Sequence, residues 1–261
     1  MYFVLAFGLT WLIWLLGILA TGGLIELPVP FMVFFFLGTW GPFVAASWLT
    51  FCGGGRAEVR KFWRRGLNFR ISRRWLLIIM GVPLLVSAVP LGVYLLMGGA
   101  VPEDALMSRP WMIIPVFITY FLTGGGNEEW GWRGYALDRL QERWDPFSAS
   151  IVLGLIWGCW HAPLFFIEYT GQYHMSLPLF IIGTVGMSVI HTWVYNKTGR
   201  SLFAAWLLHA VFGTVWAVFP MVQPQFEGYR HMQIYDFTSV LVVALIVAGA
   251  TRFRLGVVTG D

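Results

Sequence analysis

Residues 2–20 read YFVLAFGLTWLIWLLGILA, an apolar run from Tyr2 to Ala20 without a charged side chain. An α-helix rises about 1.5 Å per residue, and about 20 apolar residues cross the hydrocarbon core of a bilayer. The run therefore predicts a membrane-spanning helix. No basic segment precedes its apolar stretch, as one would in a cleaved leader, so it is read as the first span. Working outward, runs of the same kind lie near Phe31–Phe51, Trp75–Met97, Trp111–Thr123, Phe147–Ile167, Leu177–Tyr195, Ser201–Phe219 and Phe237–Ala250. Lipid offers the backbone no hydrogen-bond partner, so such spans must be helical. The short alternating strands of a barrel are missing from the pattern. The fold class predicted is all-α: a polytopic transmembrane bundle of about eight spans, one integral membrane domain over residues 1–261.

Composition agrees. The chain is 58% hydrophobic and 11% charged, with a mean hydropathy of +0.71. A soluble domain carries about 25% charged residues, so the solvated surface of a water-soluble protein is lacking. The positive charges are not scattered. Eight lie in Gly53–Arg74, then come Arg133, Arg139 and Arg143, then Lys197 and Arg200, then Arg252 and Arg254. These are alternate connections, hence one side of the membrane, and the other side holds Arg109 and Arg230. Fifteen against two orients the chain with both termini in the cytoplasm. The net charge of +4 is thereby spent on topology, and nucleic acid is not an expected partner. The basic segment 56–74 has a second reading, contact with anionic lipid head groups, but the topological bias alone accounts for it. Cys52 and Cys159 both lie in apolar stretches and imply neither a disulfide framework nor a cysteine metal site.

Ionisable side chains inside a bilayer are costly and mark function. Three places qualify. The first is the run Asn127-Glu128-Glu129-Trp130-Gly131-Trp132-Arg133-Gly134-Tyr135. On a helix Glu129 and Arg133 are i and i+4 and share a face, while Glu128 points about 100° away. One carboxylate is then paired and the other free, although Gly124–Gly126 could equally end the span and leave both in a solvated loop. The second is His161, in Trp157-Gly158-Cys159-Trp160-His161-Ala162-Pro163, read as lying within an unbroken apolar helix. The third is His209, mid-span in Leu207-Leu208-His209-Ala210. Either histidine could serve only as interhelical glue. His191 lies near the basic turn and has no supporting pattern.

Depth ties these together. Asp145-Pro146 reads as a helix start. If the preceding helix runs on to about Arg143, Glu128 and His161 each lie about fifteen residues, or roughly 22 Å, from the intervening turn. His209 lies roughly 14–20 Å beyond the cytoplasmic end of its span. One glutamate and two histidines then converge within the bilayer. A buried carboxylate flanked by imidazoles can act as general base on water, and an imidazole can orient that water or donate to an oxyanion. The same set, Glu128, His161 and His209, offers zinc ligands. Either chemistry points to hydrolysis of a carbonyl compound, most simply a peptide bond. The patterns H-E-x-x-H and G-x-S-x-G are absent.

At these residues the sequence resembles the CPBP family, which comprises the CAAX prenyl endopeptidases and the bacteriocin-processing or immunity membrane proteases also called Abi. Its motif E-E-x-x-x-R matches Glu128, Glu129 and Arg133; F-x-x-x-H matches Trp157 to His161, with Trp for Phe; H-x-x-x-N finds His209, but Gly213 stands where Asn is expected. The likeness covers roughly residues 111–215. It implies an intramembrane endopeptidase, of glutamate or metallo type, acting on a membrane-associated peptide or lipidated, for instance prenylated, protein. By that likeness Glu128 activates water with His161, and His209 supports the oxyanion, with Glu129, Arg133 and Trp157 as support. Gly213 removes one oxyanion donor, which Asn196, Thr214 or a backbone N–H would have to replace. The family also implies a bacterial inner membrane. Two other readings stand beside the protease. One is an inactive member serving as an immunity or scaffolding protein, and the other a proton-coupled transporter built on the same polar cluster. Trp130, Trp132, Trp157 and Trp160 flank the proposed site as a candidate apolar wall.

Overall fold

The computed structural model describes residues 1–26, 30–101, 103, 106–168, 170–219 and 229–256. Among these the regular structure is entirely helical. The helices are α1 (Tyr2–Thr21), α2 (Phe31–Gly38), α3 (Gly41–Gly66), α4 (Arg73–Leu96), a compound helix α5 (113–140), α6 (Pro146–Trp160), α7 (Leu177–Lys197), α8 (Leu202–Val218) and α9 (Tyr229–Ala250). Six candidate spans are long and apolar enough to cross a membrane, α2 and α3 counting as one of them, and α5 and α8 supply further apolar helices. The outer surface is apolar: Leu12, Leu77, Leu85, Ile114, Leu245 and Ile246 all project outward. In water that surface would be unstable; facing lipid it costs nothing.

Helix α7 is the most enclosed. It packs against α6, α8 and α9, while α4 closes on α8 and α9, and α1 on α2 and α3. Helices α6 and α7 approach closely because Gly154 and Gly158 share one face of α6. A Cβ on Gly154 would sit 2.6 Å from Val185 Cα, and one on Gly158 3.0 Å from Ile181 Cα. With no hydrophobic drive between helices in lipid, such backbone contact supplies the packing energy.

Several expected boundaries shift. The second span is broken at Thr39–Trp40, and α3 kinks at Gly55, whose φ of 69° only glycine adopts freely. Beyond that kink the basic residues form a helical extension that reaches Gly66. The run 111–123 is only the first half of α5, which continues through Gly124–Gly126. Those glycines serve close approach to α8: a Cβ on Gly125 would lie 2.6 Å from Trp206 O. Helix α6 begins where Asp145 predicts, its carboxylate accepting from the N–H groups of Phe147 and Ser148 at 3.0 Å. It ends at Trp160, so His161 caps the helix and does not lie within it. Pro163 lacks an N–H and would clash with the carbonyl four residues back, and the chain turns into 3-10 geometry over Ala162–Phe166. Helix α9 starts two turns earlier than its apolar run, because Asp236 is satisfied internally by Ser87 Oγ at 2.7 Å and Trp216 Nε1 at 2.6 Å.

Candidate active site

Helix α5 carries the densest polar sequence into the interior. Residues 125–134 are all buried, and the α-helical turn Gly126–Gly131 sits between two π-helical stretches, Phe121–Gly125 and Trp132–Leu137. Such wide turns recur at functional sites because they re-aim side chains within a continuous helix. Trp206 of α8 donates its indole N–H to the Phe121 carbonyl inside the first of them.

The two glutamates part company as helical spacing requires. Glu129 Oε1 accepts from Arg133 Nη1 and from His209 Nδ1, both at 2.8 Å. The Glu129 and Arg133 side chains are fully enclosed, and the guanidinium lies over the Trp157 ring at 4.5 Å. Glu128 turns to the other side, where its Oε2 accepts from Trp157 Nε1 at 2.9 Å and Trp132 Nε1 at 3.1 Å. Two neutral donors hold this carboxylate, and no cation pairs with it among the described residues.

The histidines are oriented by what they touch. His161 Nδ1 lies 2.8 Å from the Trp157 carbonyl, which only accepts, so Nδ1 carries the proton and Nε2 is left open. His209 donates Nδ1–H to Glu129, again leaving Nε2 open. Glu128, His161 and His209 all line one cavity of about 480 Å³, together with Trp157, Trp160, Tyr120 and Gly213. The arrangement is that of an oriented general base with two imidazoles facing a mostly apolar chamber.

The likeness read from the motifs is matched by comparison with known proteins. Residues 110–215 match the family model described as type II CAAX prenyl endopeptidase Rce1-like. The CAAX prenyl protease 2 of Methanococcus maripaludis is 29% identical over 221 residues, covering 80% of each chain. The chain is similar to the CAAX prenyl endopeptidases. The matched stretch runs from the start of α5 through most of α8 and contains every residue of the cavity cluster named above.

Set against the motifs of that likeness the chain departs at two points, and the structure accounts for both. Where the motif has Phe, Trp157 uses its indole N–H to hold Glu128, a bond Phe cannot make. Where the motif has Asn, a Cβ on Gly213 would collide with the Tyr120 ring, which fills that space. Neither suggested substitute donor reaches the site. The Asn196 amide donates to Gln141 Oε1 at 2.8 Å, near the basic end of α7, and Thr214 Oγ1 is spent on the Ala210 carbonyl at 2.7 Å. Of the four tryptophans proposed as a wall, Trp157 and Trp160 line the cavity. Trp132 lies behind Glu128, and Trp130 packs on Gly66 and Trp206.

His191 is the residue sequence reading left without a role. It is buried, its Nδ1 lies 2.8 Å from the Met187 carbonyl, and its ring stands 5.9 Å from that of His209. Its position on α7, i+4 from Met187, gave no motif signal. Donor atoms of Glu129, His191 and His209 come within 4.8 Å of one another, and among the described residues this is the set gathered at metal-ligand spacing. It differs from Glu128, His161 and His209, the set offered for zinc. It also fits a dication poorly: Arg133 already neutralises the Glu129 carboxylate from 2.8 Å, and a second cation there meets direct repulsion.

Proposed function

We propose that the protein is an intramembrane endopeptidase that hydrolyses a peptide bond with water activated by Glu128. The observation that carries this reading is the division of labour between adjacent carboxylates. Glu129 is consumed by Arg133 and His209, while Glu128 faces the chamber shared with His161 and His209. Glu128 takes a proton from water as the oxygen bonds to the peptide carbonyl carbon. His161, with Nδ1–H pinned, accepts from the same water through Nε2 and orients it. His209, held by Glu129 through Nδ1–H, turns Nε2 toward the developing oxyanion and donates to it when the ring is the imidazolium. Glu128 then returns its proton to the leaving nitrogen as the C–N bond breaks, giving a carboxylate and an amine. No step is routed through a metal.

The substrate proposed is a membrane-associated peptide with a prenylated C-terminal segment. The name of the archaeal relative and the apolar walls of the chamber, Trp157, Trp160 and Phe35 among them, support it. Orientation follows the charge distribution, with both termini cytoplasmic; placement in a bacterial inner membrane rests on the family likeness alone. The loss of an Asn donor at Gly213 favours one variant of this reading, a slow enzyme, since one missing oxyanion donor costs about 10²–10³ in rate. Cleavage of a farnesylated fluorogenic peptide by protein in detergent or proteoliposomes tests the proposal. Wild type should cleave it and Glu128→Gln should not, with both variants melting at the same temperature. Undiminished cleavage by a folded Glu128→Gln protein would remove Glu128 from the reaction.

A further inference from the structure

A second cavity, of about 470 Å³, lies at the basic end of the bundle, between the end of α3 and the turn joining α7 to α8. Arg65, Asn68, Arg70, Asp138, Arg200 and Ser201 line it. Its floor is a closed network. Arg65 Nη2 bonds Asp138 Oδ2 at 3.0 Å, Tyr195 donates to Asp138 Oδ1 at 2.9 Å, and Arg65 Nη1 reaches the Gly134 carbonyl at 3.2 Å. That network uses the only acidic side chain in the wall. Two guanidiniums remain above it. Arg200 touches Asp138 at only 3.7 Å with its side chain half exposed, and Arg70 makes no ion pair among the described residues.

Backbone conformation adds an independent observation. Arg200 has a φ of 60°, the left-handed region where glycine is the ordinary choice. An arginine held there, directly after Gly199 at φ 67°, keeps its side chain over the cavity against a backbone preference. Beside it Ser201 caps the start of α8. Two guanidiniums, a serine hydroxyl and an asparagine amide above the committed Arg65 form a donor set for a phosphate group around one concavity. The place matters as well: the cavity opens where the spans end and the basic connections cluster, the level of phospholipid head groups.

We propose that this cavity binds the phosphate of an anionic phospholipid head group, with Arg70 and Arg200 as its principal contacts and Arg65 as the fixed base. It is separate from the chamber of Glu128, which shares none of its lining residues. The test is the thermal midpoint of the purified full-length chain in neutral detergent. It is measured with dioctanoyl phosphatidylglycerol, with dioctanoyl phosphatidylcholine and with inorganic phosphate at equal concentration. The proposal expects a rise of several degrees with phosphatidylglycerol and a much smaller one with the other two. In the double variant Arg70→Gln, Arg200→Gly the rise disappears while the lipid-free midpoint holds, since glycine suits the backbone at position 200. The control Arg56→Gln, Arg60→Gln, on the same basic segment but outside the cavity, keeps the rise. An equal shift with inorganic phosphate would overturn the lipid assignment. An undiminished shift in the double variant, or equal loss in the control, would overturn the site.

Discussion

Burying a carboxylate away from water is costly unless it is paired or hydrogen-bonded, and Glu128 and Glu129 are held in different ways, Glu129 by Arg133 and His209 on one oxygen and Glu128 by two indole N–H groups. Glu129 sits in a buried charge pair, and removing one member of such a pair costs about 3–5 kcal/mol because the other charge is stranded. Arg133→Ala should therefore lower folded yield and thermal midpoint sharply, while Glu128→Gln leaves both unchanged; melting curves of the two variants distinguish them. Trp157 offers a subtler handle. Trp157→Phe keeps an aromatic ring but deletes the donor to Glu128, and a hydrogen bond to a charged group is worth about 1.5–3 kcal/mol. A fall in kcat with little change in KM is expected, and an unaltered kcat would show that this bond plays no part in the chemistry. At Gly213 the Tyr120 ring leaves no room for a side chain. Gly213→Asn should destabilise by about 1–3 kcal/mol as an overpacked site, and adding Tyr120→Ala should restore the midpoint. The i, i+4 relation of Glu129 and Arg133 was readable from spacing alone. The third partner, His209, was not, because its approach depends on how α8 is rotated against α5.

Elements were legible where apolar length and a capping residue spoke together. Helix α6 begins at Pro146 because Asp145 caps it, and the carboxyl of Asp145 is held below its usual range, chiefly by hydrogen bonding with Ser148. The contribution of that cap is complete above the ordinary aspartate pKa and fades as pH falls through the lowered value. Asp145→Ala should cost about 1 kcal/mol at neutral pH and progressively less in acid, read from melts across that range. Where polar residues interrupted a run the reading stopped early. Asp236 hid two turns of α9, since nothing in the sequence pairs it with Ser87 and Trp216 more than a hundred and a score of positions away respectively. The opposite error occurred at His161, where hydropathy ran on past a helix that Pro163 had already ended. Glycines misled in a third way: Gly124–Gly126 resemble a span end but are the contact surface for α8.

The whole molecule turns on its orientation. The positive-inside bias proposed above predicts the connection at Ser72 in the cytoplasm and the one at Ser108 outside. With Cys52 and Cys159 replaced by Ala, a membrane-impermeant maleimide should label Ser108→Cys in intact cells and Ser72→Cys only after permeabilisation. The reverse pattern would invert the topology and move the arginine-lined cavity to the other leaflet. The bundle class was legible because composition leaves a chain this apolar no other stable surface. The shared chamber was legible only as a depth argument: helical rise put Glu128, His161 and His209 at one level, but which carboxylate faces the chamber, and that His191 lies beside it, are products of packing.

The central claim is that Glu128 is the base that activates water, without a bound metal. Its most direct test is single-turnover cleavage of a farnesylated peptide by purified Glu128→Gln beside wild type, with the metal content of both samples measured. The expected result is a loss of about 10²–10⁴ in the cleavage rate, no stoichiometric zinc in either sample, and identical melting curves. Wild-type cleavage by the variant, or one zinc per chain that departs together with Glu128, would contradict it.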